Sequence, residues 1–181
     1  ETRDGKNQKQ SKTSDKLKVW YLNADNLHNK ITELNSRLHS EDTPPHIIAI
    51  TEAKPKNSRF LCTLSEYNID GYQLFHKNIN QTVGRGILIY VAKNLEVNET
   101  EEGDFQEYLK LEIKLHKDDK LCLVCCYRSP NSPMDNNSNL INLFQELADS
   151  NPSHLLIVGD FNYGAIDWNS GNSPGPDTAQ D

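Results

Sequence analysis

Six polar residues of types that act on phosphate esters stand at the ends of four short apolar segments. They are Asn23, Glu52, Tyr127, Arg128, Asp160 and Asn162. The segments before them are rich in aliphatic and β-branched residues and are typical of strands. In open α/β sheets the carboxyl ends of the strands form the ligand crevice. We therefore expect five of these side chains to converge on one cleft, namely Asn23, Glu52, Tyr127, Asp160 and Asn162.

These residue types suit the cleavage of a phosphoester. A hard cation such as Mg²⁺ prefers carboxylate oxygen and keeps several waters as ligands. One glutamate and one amide are therefore enough ligands for the protein to supply. The ion offsets charge on the phosphate and the leaving oxygen, while a further carboxylate orients or deprotonates the attacking water. The sequence therefore predicts a weakly bound Mg²⁺, with Mn²⁺ as a substitute, held by one glutamate, one amide and mostly water.

Strand-like and helix-like segments alternate along the middle of the chain. Apolar residues recur at helical spacing from Leu27 to Leu38 and from Leu140 to Ala148. Residues 53–71 show no clear pattern beyond a turn near Asp70-Gly71. The segments that read as strands are 17–22, 46–51, 72–76, 86–91, 108–115, 121–127 and 155–158.

A strand–helix–strand unit stands at each end of this series, with a run of strands between them. The order indicates a layered α/β arrangement rather than a regular doubly wound sheet. Because the first and last units each carry an amphipathic helix, we predict a four-layer α/β sandwich. Two mixed β-sheets pack face to face with helices outside, and the second half is incomplete.

Length and composition predict one domain with a polar segment at each end. The chain has 181 residues and a formal net charge of −7, which excludes a broadly basic DNA-coating protein. Residues 1–16 contain no apolar residue, and residues 169–181 contain only Ala179. We predict a disordered polar arm at 1–16, a domain at 17–168 and a flexible tail at 169–181. No apolar run approaches the roughly 20 residues of a membrane span.

The cysteines allow two interpretations. The spacing from Cys122 to Cys125 is found in zinc sites, but a second ligand pair is missing. Because this pair lies in the apolar segment 121–127, we expect buried, reduced thiols at Cys122, Cys125 and Cys126, and also at Cys62.

Several segments together resemble the endonuclease/exonuclease/phosphatase family. They are Leu22-Asn23, Ile50-Thr-Glu52, Tyr127-Arg-Ser-Pro130 and Gly159-Asp-Phe-Asn162. Further segments look like its apurinic-type branch at the front of non-LTR retrotransposon polyproteins. Those are Asn29-Lys-Ile-Thr-Glu-Leu34, Gly84-Arg-Gly-Ile-Leu-Ile-Tyr-Val91 and the ending Ile166-Asp-Trp168.

The resemblance implies a role for each residue of the set. Glu52 would be the main metal ligand with Asn23 beside it, and Asp160 would orient or activate the water. Asn162 would hold the phosphate or the water, and Tyr127 would face the scissile phosphate. Arg128 would lie near the substrate.

Each residue also has an ordinary structural interpretation. Glu52 is also explained as an exposed strand-end carboxylate, and Asp160 and Asn162 as turn formers. Asn23 also suits a turn or a helix cap, and Tyr127 a core or rim position. Surface or salt-bridge arginines are common at positions like Arg128, and Gly84-Arg-Gly86 predicts a turn or bulge rather than a phosphate loop.

The sequence departs from the family pattern at the end of the domain. The family completes its site with a further Asp and an Asp-His pair, but no Asp-His dipeptide occurs in these 181 residues. The last histidine is His154, and neither Asp167 nor Asp177 is a convincing replacement. We therefore expect a domain that is truncated at its C-terminal side. Because the chain opens with Glu rather than Met, we also expect it to be an excised piece of a longer protein.

The resemblance implies a Mg²⁺-dependent DNA endonuclease that nicks target DNA for retrotransposon insertion and is inactive as this fragment. Its expected partners are DNA and the remainder of a reverse transcriptase polyprotein, in an intracellular and at least transiently nuclear location. An open sheet edge would also invite association with another chain. The alternatives are a catalytically incomplete binding or interaction fragment and a phosphatase of the same superfamily.

Overall fold

The computed structural model describes residues 16–55, 63–79, 84–100, 103–116, 118–164, 166–167 and 169–170. In these ranges lie eight strands and two α-helices. The strands are β1 (Val19–Asn23), β2 (Ile47–Thr51), β3 (Tyr72–Lys77), β4 (Ile87–Ala92), β5 (Val97–Glu99), β6 (Tyr108–Lys114), β7 (Lys120–Tyr127) and β8 (His154–Asp160). The helices are α1 (Ile31–Ser40) and α2 (Met134–Asp149), with short 3₁₀ turns at Leu27–Asn29 and Leu64–Tyr67.

The strands form two mixed four-stranded sheets. The first has the order β1-β2-β4-β3 and the second the order β5-β6-β7-β8. In each sheet one pair is parallel, β1 with β2 and β7 with β8, and the other pairs are antiparallel. Parallel neighbours need a crossover connection, and α1 and α2 provide it. The two helix-containing units predicted from the sequence are therefore the two parallel pairs.

The sheets pack face to face and the helices cover their outer faces. Residues of β2 and β4, such as Ala49 and Ile89, meet Leu111 and Leu123 of the second sheet in a fully buried layer. Tyr90 and neighbouring residues on the opposite face of the first sheet pack against α1. The opposite face of the second sheet packs against Leu140, Leu143 and Leu147 of α2. The predicted four-layer α/β sandwich is confirmed.

The helices bury the residues that carry their periodicity, but α1 begins later than the sequence predicts. The first predicted turn is a 3₁₀ segment, and the backbone N–H of Leu27 donates to the carbonyl of Ala53 at 2.9 Å. This bond fixes the turn to the end of β2, and the α-helix starts at Ile31 and buries Leu34 and Leu38.

One strand, β5, was not predicted from the sequence, and the terminal strands β1 and β8 of the two sheets lie side by side. Strand β5 has three residues, of which Val97 alone is apolar, and is formed through its pairing with β6. Among the described strands β1 and β8 are the terminal members of their sheets, and they lie in contact with each other. No helix in the described ranges is long and apolar enough to cross a membrane.

The cysteines of β7 occupy both faces of that strand. Cys125 lies in the layer between the sheets, whereas Cys122 and Cys126 lie on the face covered by α2. Because residues three apart on a strand point to opposite faces, Cys122 and Cys125 cannot share one tetrahedral ion. All three thiols are free, and Cys125 and Cys126 are buried. Burial raises the pKa of the Cys126 thiol to about 12, and Cys62 lies outside the described residues.

The predicted arm and tail fall almost entirely outside the described residues, with only Lys16, Asn169 and Ser170 inside them. The domain bounds 17–168 therefore stay a prediction.

Candidate active site

The carboxyl ends of β1, β2, β7 and β8 meet at one edge of the sandwich. Asn23 is paired in register with Thr51, and Tyr127 with Asp160. Across the two sheets the Asn23 amide nitrogen Nδ2 donates to Asp160 Oδ2 at 2.8 Å. Residues 137 positions apart in the chain are therefore in direct contact. The predicted convergence of the polar set is found.

Glu52 is held in a left-handed backbone conformation at this edge. Its φ is +53°, a conformation that costs a non-glycine residue about 1–3 kcal/mol and that clusters at functional sites. Its carbonyl accepts from the backbone N–H of Asn26 at 2.9 Å, and the N–H of Ala53 donates to Gly86 at 3.2 Å. The side chain is 13% exposed. Neighbouring strand ends thus hold the carboxylate in a fixed, mostly enclosed position.

Tyr127 links this carboxylate to the second sheet. Its hydroxyl hydrogen-bonds to the Glu52 side chain. Burial, followed by the negative charges of Glu52 and Asp160, raises the pKa of Tyr127 to about 12 against the opposing charge of Arg85. The hydroxyl therefore stays protonated at neutral pH and acts as a hydrogen-bond donor. Because the ring belongs to the core between the sheets, Tyr127 is both a core residue and a member of the site.

Arg128 is buried behind the site. It is 3% exposed, its Nε donates to Asn137 Oδ1 at 2.7 Å, and its guanidinium lies 4.2 Å from the centre of the Tyr163 ring. Its Nη1 donates to the carbonyl of Asn162 at 3.1 Å, and Asn162 Nδ2 donates back to the Arg128 carbonyl at 2.8 Å. These contacts give Arg128 a positioning role, and its predicted contact with substrate stays untested.

Asn162 also has a left-handed backbone, with φ +51°. Its N–H donates to Asp160 Oδ1 at 3.3 Å, a turn that suits Asn well. Asn162 therefore forms the ordinary turn and also supports the site, because this turn fixes the Asp160 carboxylate that Asn23 contacts.

Glu107 is a residue that the sequence analysis missed. Its carboxylate accepts from the backbone N–H of Ser129 at 3.3 Å, from the Ser129 hydroxyl, and from Asn136 Nδ2 at 3.0 Å. Its backbone carbonyl accepts from Tyr127 N–H at 2.9 Å. Glu107 thus fastens the loop that follows Tyr127 and leads into α2. Nothing in its local sequence distinguishes it from a surface carboxylate.

Arg85 is the second missed residue. Its Nη2 lies 2.7 Å from Glu52 Oε2 and 2.6 Å from Asp25 Oδ1. Gly84 and Gly86 on either side have φ of +77° and +76°, so the predicted turn is present and presents the arginine to the site. An arginine between two glycines was the available signal.

Tyr21 is the third missed residue. Its hydroxyl is 3.0 Å from Thr51 Oγ1. Burial raises its pKa, and the charges of Asp160 and Glu52 add to the shift. It is therefore a second phenol beside the two carboxylates.

The donor chemistry of this edge fits a hard divalent cation. Asp25, Glu52 and Asp160 supply three negative charges, Arg85 supplies one positive charge, and Asn23 adds an amide oxygen. Oxygen donors of this kind are those that Mg²⁺ selects. Within the described ranges no group of three or more His, Cys, Asp or Glu side chains could hold a metal ion. The arrangement thus fits an ion held by one carboxylate, an amide and mostly water.

Comparison with known proteins agrees with this geometry. Residues 121–180 match the family model described as endonuclease-reverse transcriptase. No curated protein matches the chain in sequence.

Solved structures match over most of the chain. The endonuclease domain of TRAS1, a telomere-specific non-LTR retrotransposon, matches with a TM-score of 0.60 and 16% identity, over 88% of this chain and 65% of that domain. The apurinic endonuclease of Leishmania major gives 0.58 and 16%, over 83% and 56%. The human Nocturnin catalytic domain gives 0.54 and 12%, over 81% and 64%. The chain thus spans about two thirds or less of the length of each of these structures.

At these identities the structural matches show the fold alone, and the match at residues 121–180 adds the family relationship. The resemblance predicted from the motifs is confirmed: the chain has the endonuclease/exonuclease/phosphatase fold, and its segment 121–180 is related to the endonuclease-reverse transcriptase family.

Proposed function

We propose that this chain is part of a Mg²⁺-dependent DNA endonuclease that nicks target DNA for the insertion of a retrotransposon. The observation that carries the proposal is the meeting of Asn23 and Glu52 from one sheet with Tyr127 and Asp160 from the other. The endonuclease-reverse transcriptase match and the fold of the TRAS1 endonuclease domain support it. The proposed setting is a reverse transcriptase polyprotein that is nuclear at least transiently.

In this proposal Glu52 and Asn23 hold the cation, and Mn²⁺ substitutes for Mg²⁺. When bound, the ion offsets negative charge on the scissile phosphate and on the leaving oxygen. Asp160 orients the attacking water or accepts its proton, and Asn162 holds the phosphate or the water. Tyr127 faces the scissile phosphate, and Arg128 holds the Asn162 turn in place.

We propose further that the 181-residue chain by itself nicks poorly. The family resemblance implies a further Asp and an Asp-His pair, and no such pair occurs in this sequence. General acid–base help of that kind contributes about 10²–10⁴-fold. A loss of that order leaves a folded protein with little activity.

The test is a nicking assay on supercoiled plasmid with Mg²⁺. It compares the 181-residue chain with a longer piece of its natural reading frame that includes a downstream Asp-His pair. We expect slow nicking by the first and faster nicking by the second, with loss on Glu52→Ala and on Asp160→Ala. Glu33→Gln, an exposed change on α1, is the matched control and keeps full activity.

The outcomes separate the two proposals. Equal, Glu52-dependent nicking by both chains would keep the endonuclease and contradict the weak activity of the short one. The absence of nicking in both would contradict the endonuclease.

A second candidate function is that of a binding or interaction module, with association through an open sheet edge. The observation that favours it is a groove of about 560 Å³ between β1 and α1. Trp20 and Leu22 of the terminal strand line one side, and Leu34 and Arg37 of α1 line the other. An exposed strand edge of this kind accepts an added strand. Size-exclusion chromatography with light scattering would detect the association, and a strictly monomeric chain at high concentration would contradict self-association.

A further inference from the structure

Arg85 is bound on three sides inside the proposed active site. Its Nε donates to the carbonyl of Lys54 at 3.0 Å, and the Lys54 N–H donates to the Arg85 carbonyl at 2.8 Å. Its Nη2 donates to Asp25 Oδ1 at 2.6 Å and forms an ion pair with Glu52 Oε2 at 2.7 Å. The side chain is only 14% exposed. The position of the guanidinium is therefore fixed by the backbone at the end of β2 as well as by the carboxylates.

One nitrogen of Arg85 serves two carboxylates that differ in their environment. The Glu52 side chain is 13% exposed and the Asp25 side chain 77% exposed. An ion pair is screened less where it is partly buried than where it is exposed. Glu52 is thus the enclosed partner of Arg85, and Asp25 draws the same nitrogen towards solvent.

We propose that Arg85 is an internal counter-ion that competes with a divalent cation for Glu52, and that Asp25 weakens this competition by holding the same nitrogen. The inference rests on the proposed metal site at Glu52. A cation that binds this carboxylate either replaces Arg85 or lies close to its positive charge. Both cases lower the affinity, through the loss of the ion pair between Arg85 and Glu52 or through repulsion between like charges.

The competition predicts whether each substitution raises or lowers the affinity for the cation, and this can be measured without an activity assay. Replacing Arg85 by a neutral residue removes the competitor, so the cation binds more tightly. Replacing Asp25 by Asn removes the second carboxylate from Arg85 Nη2, so that Arg85 pairs with Glu52 alone and the cation binds more weakly. In an Arg85→Gln background, Asp25→Asn should no longer change the affinity, because Asp25 acts on the cation only through Arg85.

The experiment is a calorimetric titration of the 181-residue chain with Mn²⁺ at fixed pH and ionic strength. We expect Arg85→Gln to tighten binding about tenfold, the effect of removing one positive charge that pairs with the ligand carboxylate. Arg85→Lys keeps the charge and is the matched control, with binding within about threefold of the wild type. We expect Asp25→Asn to weaken binding about threefold in the wild type and to change it by less than about 1.5-fold in Arg85→Gln.

Circular dichroism and thermal melting establish that each variant is folded. If Arg85→Gln does not fold, Arg85→Met supplies the neutral background, and loss of the Asp25→Asn effect in that background decides for competition.

Three results overturn the inference. The first is Mn²⁺ binding by folded Arg85→Gln that is no tighter than in the wild type, including no detectable binding in either. The second is Asp25→Asn binding as tight as the wild type. The third is the same factor for Asp25→Asn in both backgrounds, which would make Asp25 a direct ligand or attracting charge.

Glu52→Gln separates this inference from the proposed function. If that variant binds Mn²⁺ as tightly as the wild type, the metal site itself is wrong. If Glu52→Gln abolishes binding and Arg85→Gln changes nothing, the metal site stands and the counter-ion role is wrong.

Discussion

Replacement of Arg128 by Ala is expected to destabilise the protein strongly, because this side chain connects three parts of the second sheet layer. It joins the end of β7 to Asn137 of α2, to the Asn162 turn after β8 and to the ring of Tyr163. Truncation removes the buried charge, leaves the Asn137 oxygen with only the long bond from the Tyr163 hydroxyl at 3.5 Å, and takes the arginine donor from two carbonyls.

The magnitude follows from these contacts. The short bond from Nε to Asn137 is charge-assisted and corresponds to about 1.5–3 kcal/mol. The weaker bonds to the carbonyls of Phe161 and Asn162, at 3.4 and 3.1 Å, and the contact with the Tyr163 ring, up to about 2 kcal/mol, add to it. Since such terms do not sum fully, we expect a loss of about 3–4 kcal/mol. For a chain of this length that lowers Tm by about 6–16 °C.

The assay is urea unfolding followed by circular dichroism, with Arg37→Ala on the exposed face of α1 as the matched control. The control should change the free energy of unfolding by less than about 0.5 kcal/mol. A loss below about 1 kcal/mol in Arg128→Ala would refute the positioning role. Weaker DNA binding at unchanged stability would instead support the substrate contact predicted from the sequence.

Two substitutions and one labelling experiment test the packing around the site. Glu107→Ala leaves the donors of the following loop without this acceptor and should lower the free energy of unfolding by about 2–3 kcal/mol, measured by urea unfolding. An unchanged midpoint would show that Glu107 does not fasten the loop after Tyr127. In the native protein the thiol of Cys126, with its pKa raised to about 12, stays protonated up to about pH 10 and should react with iodoacetamide far more slowly than half-buried Cys122. Mass spectrometry of the labelled peptides measures both rates, and equal rates would argue against the burial. Gly159→Ala places a Cβ 2.0 Å from the Cys126 carbonyl oxygen and should cost more than about 3 kcal/mol by separating β7 from β8, whereas a melting curve like that of the wild type would show that the strands can move apart.

The sequence was sufficient for the element order because the periodicities are local. Alternation along 108–115 and 3.6-residue spacing from Leu140 to Ala148 each report on one buried face. The two strand–helix–strand units imply parallel pairs, and the family motifs placed Glu52 and Asp160 at strand ends. Strand β5 escaped detection because three residues with a single apolar side chain carry no periodicity.

The sequence by itself determined which residues end strands at the site, whereas the tertiary structure decided how they interact. The contact of Asn23 with Asp160, 137 residues apart, exists only once the two sheets pack, and that of Arg85 with Asp25, 60 residues apart, only once the first sheet is assembled. Contacts inside each half of the sandwich bury Arg128 against α2 and the Asn162 turn, and hold Glu52 at a φ of +53° beside Asn26 and Gly86. Local residue preferences disfavour a left-handed glutamate and do not bury an arginine, so hydrogen bonds from distant strands must supply the free energy that holds both in place.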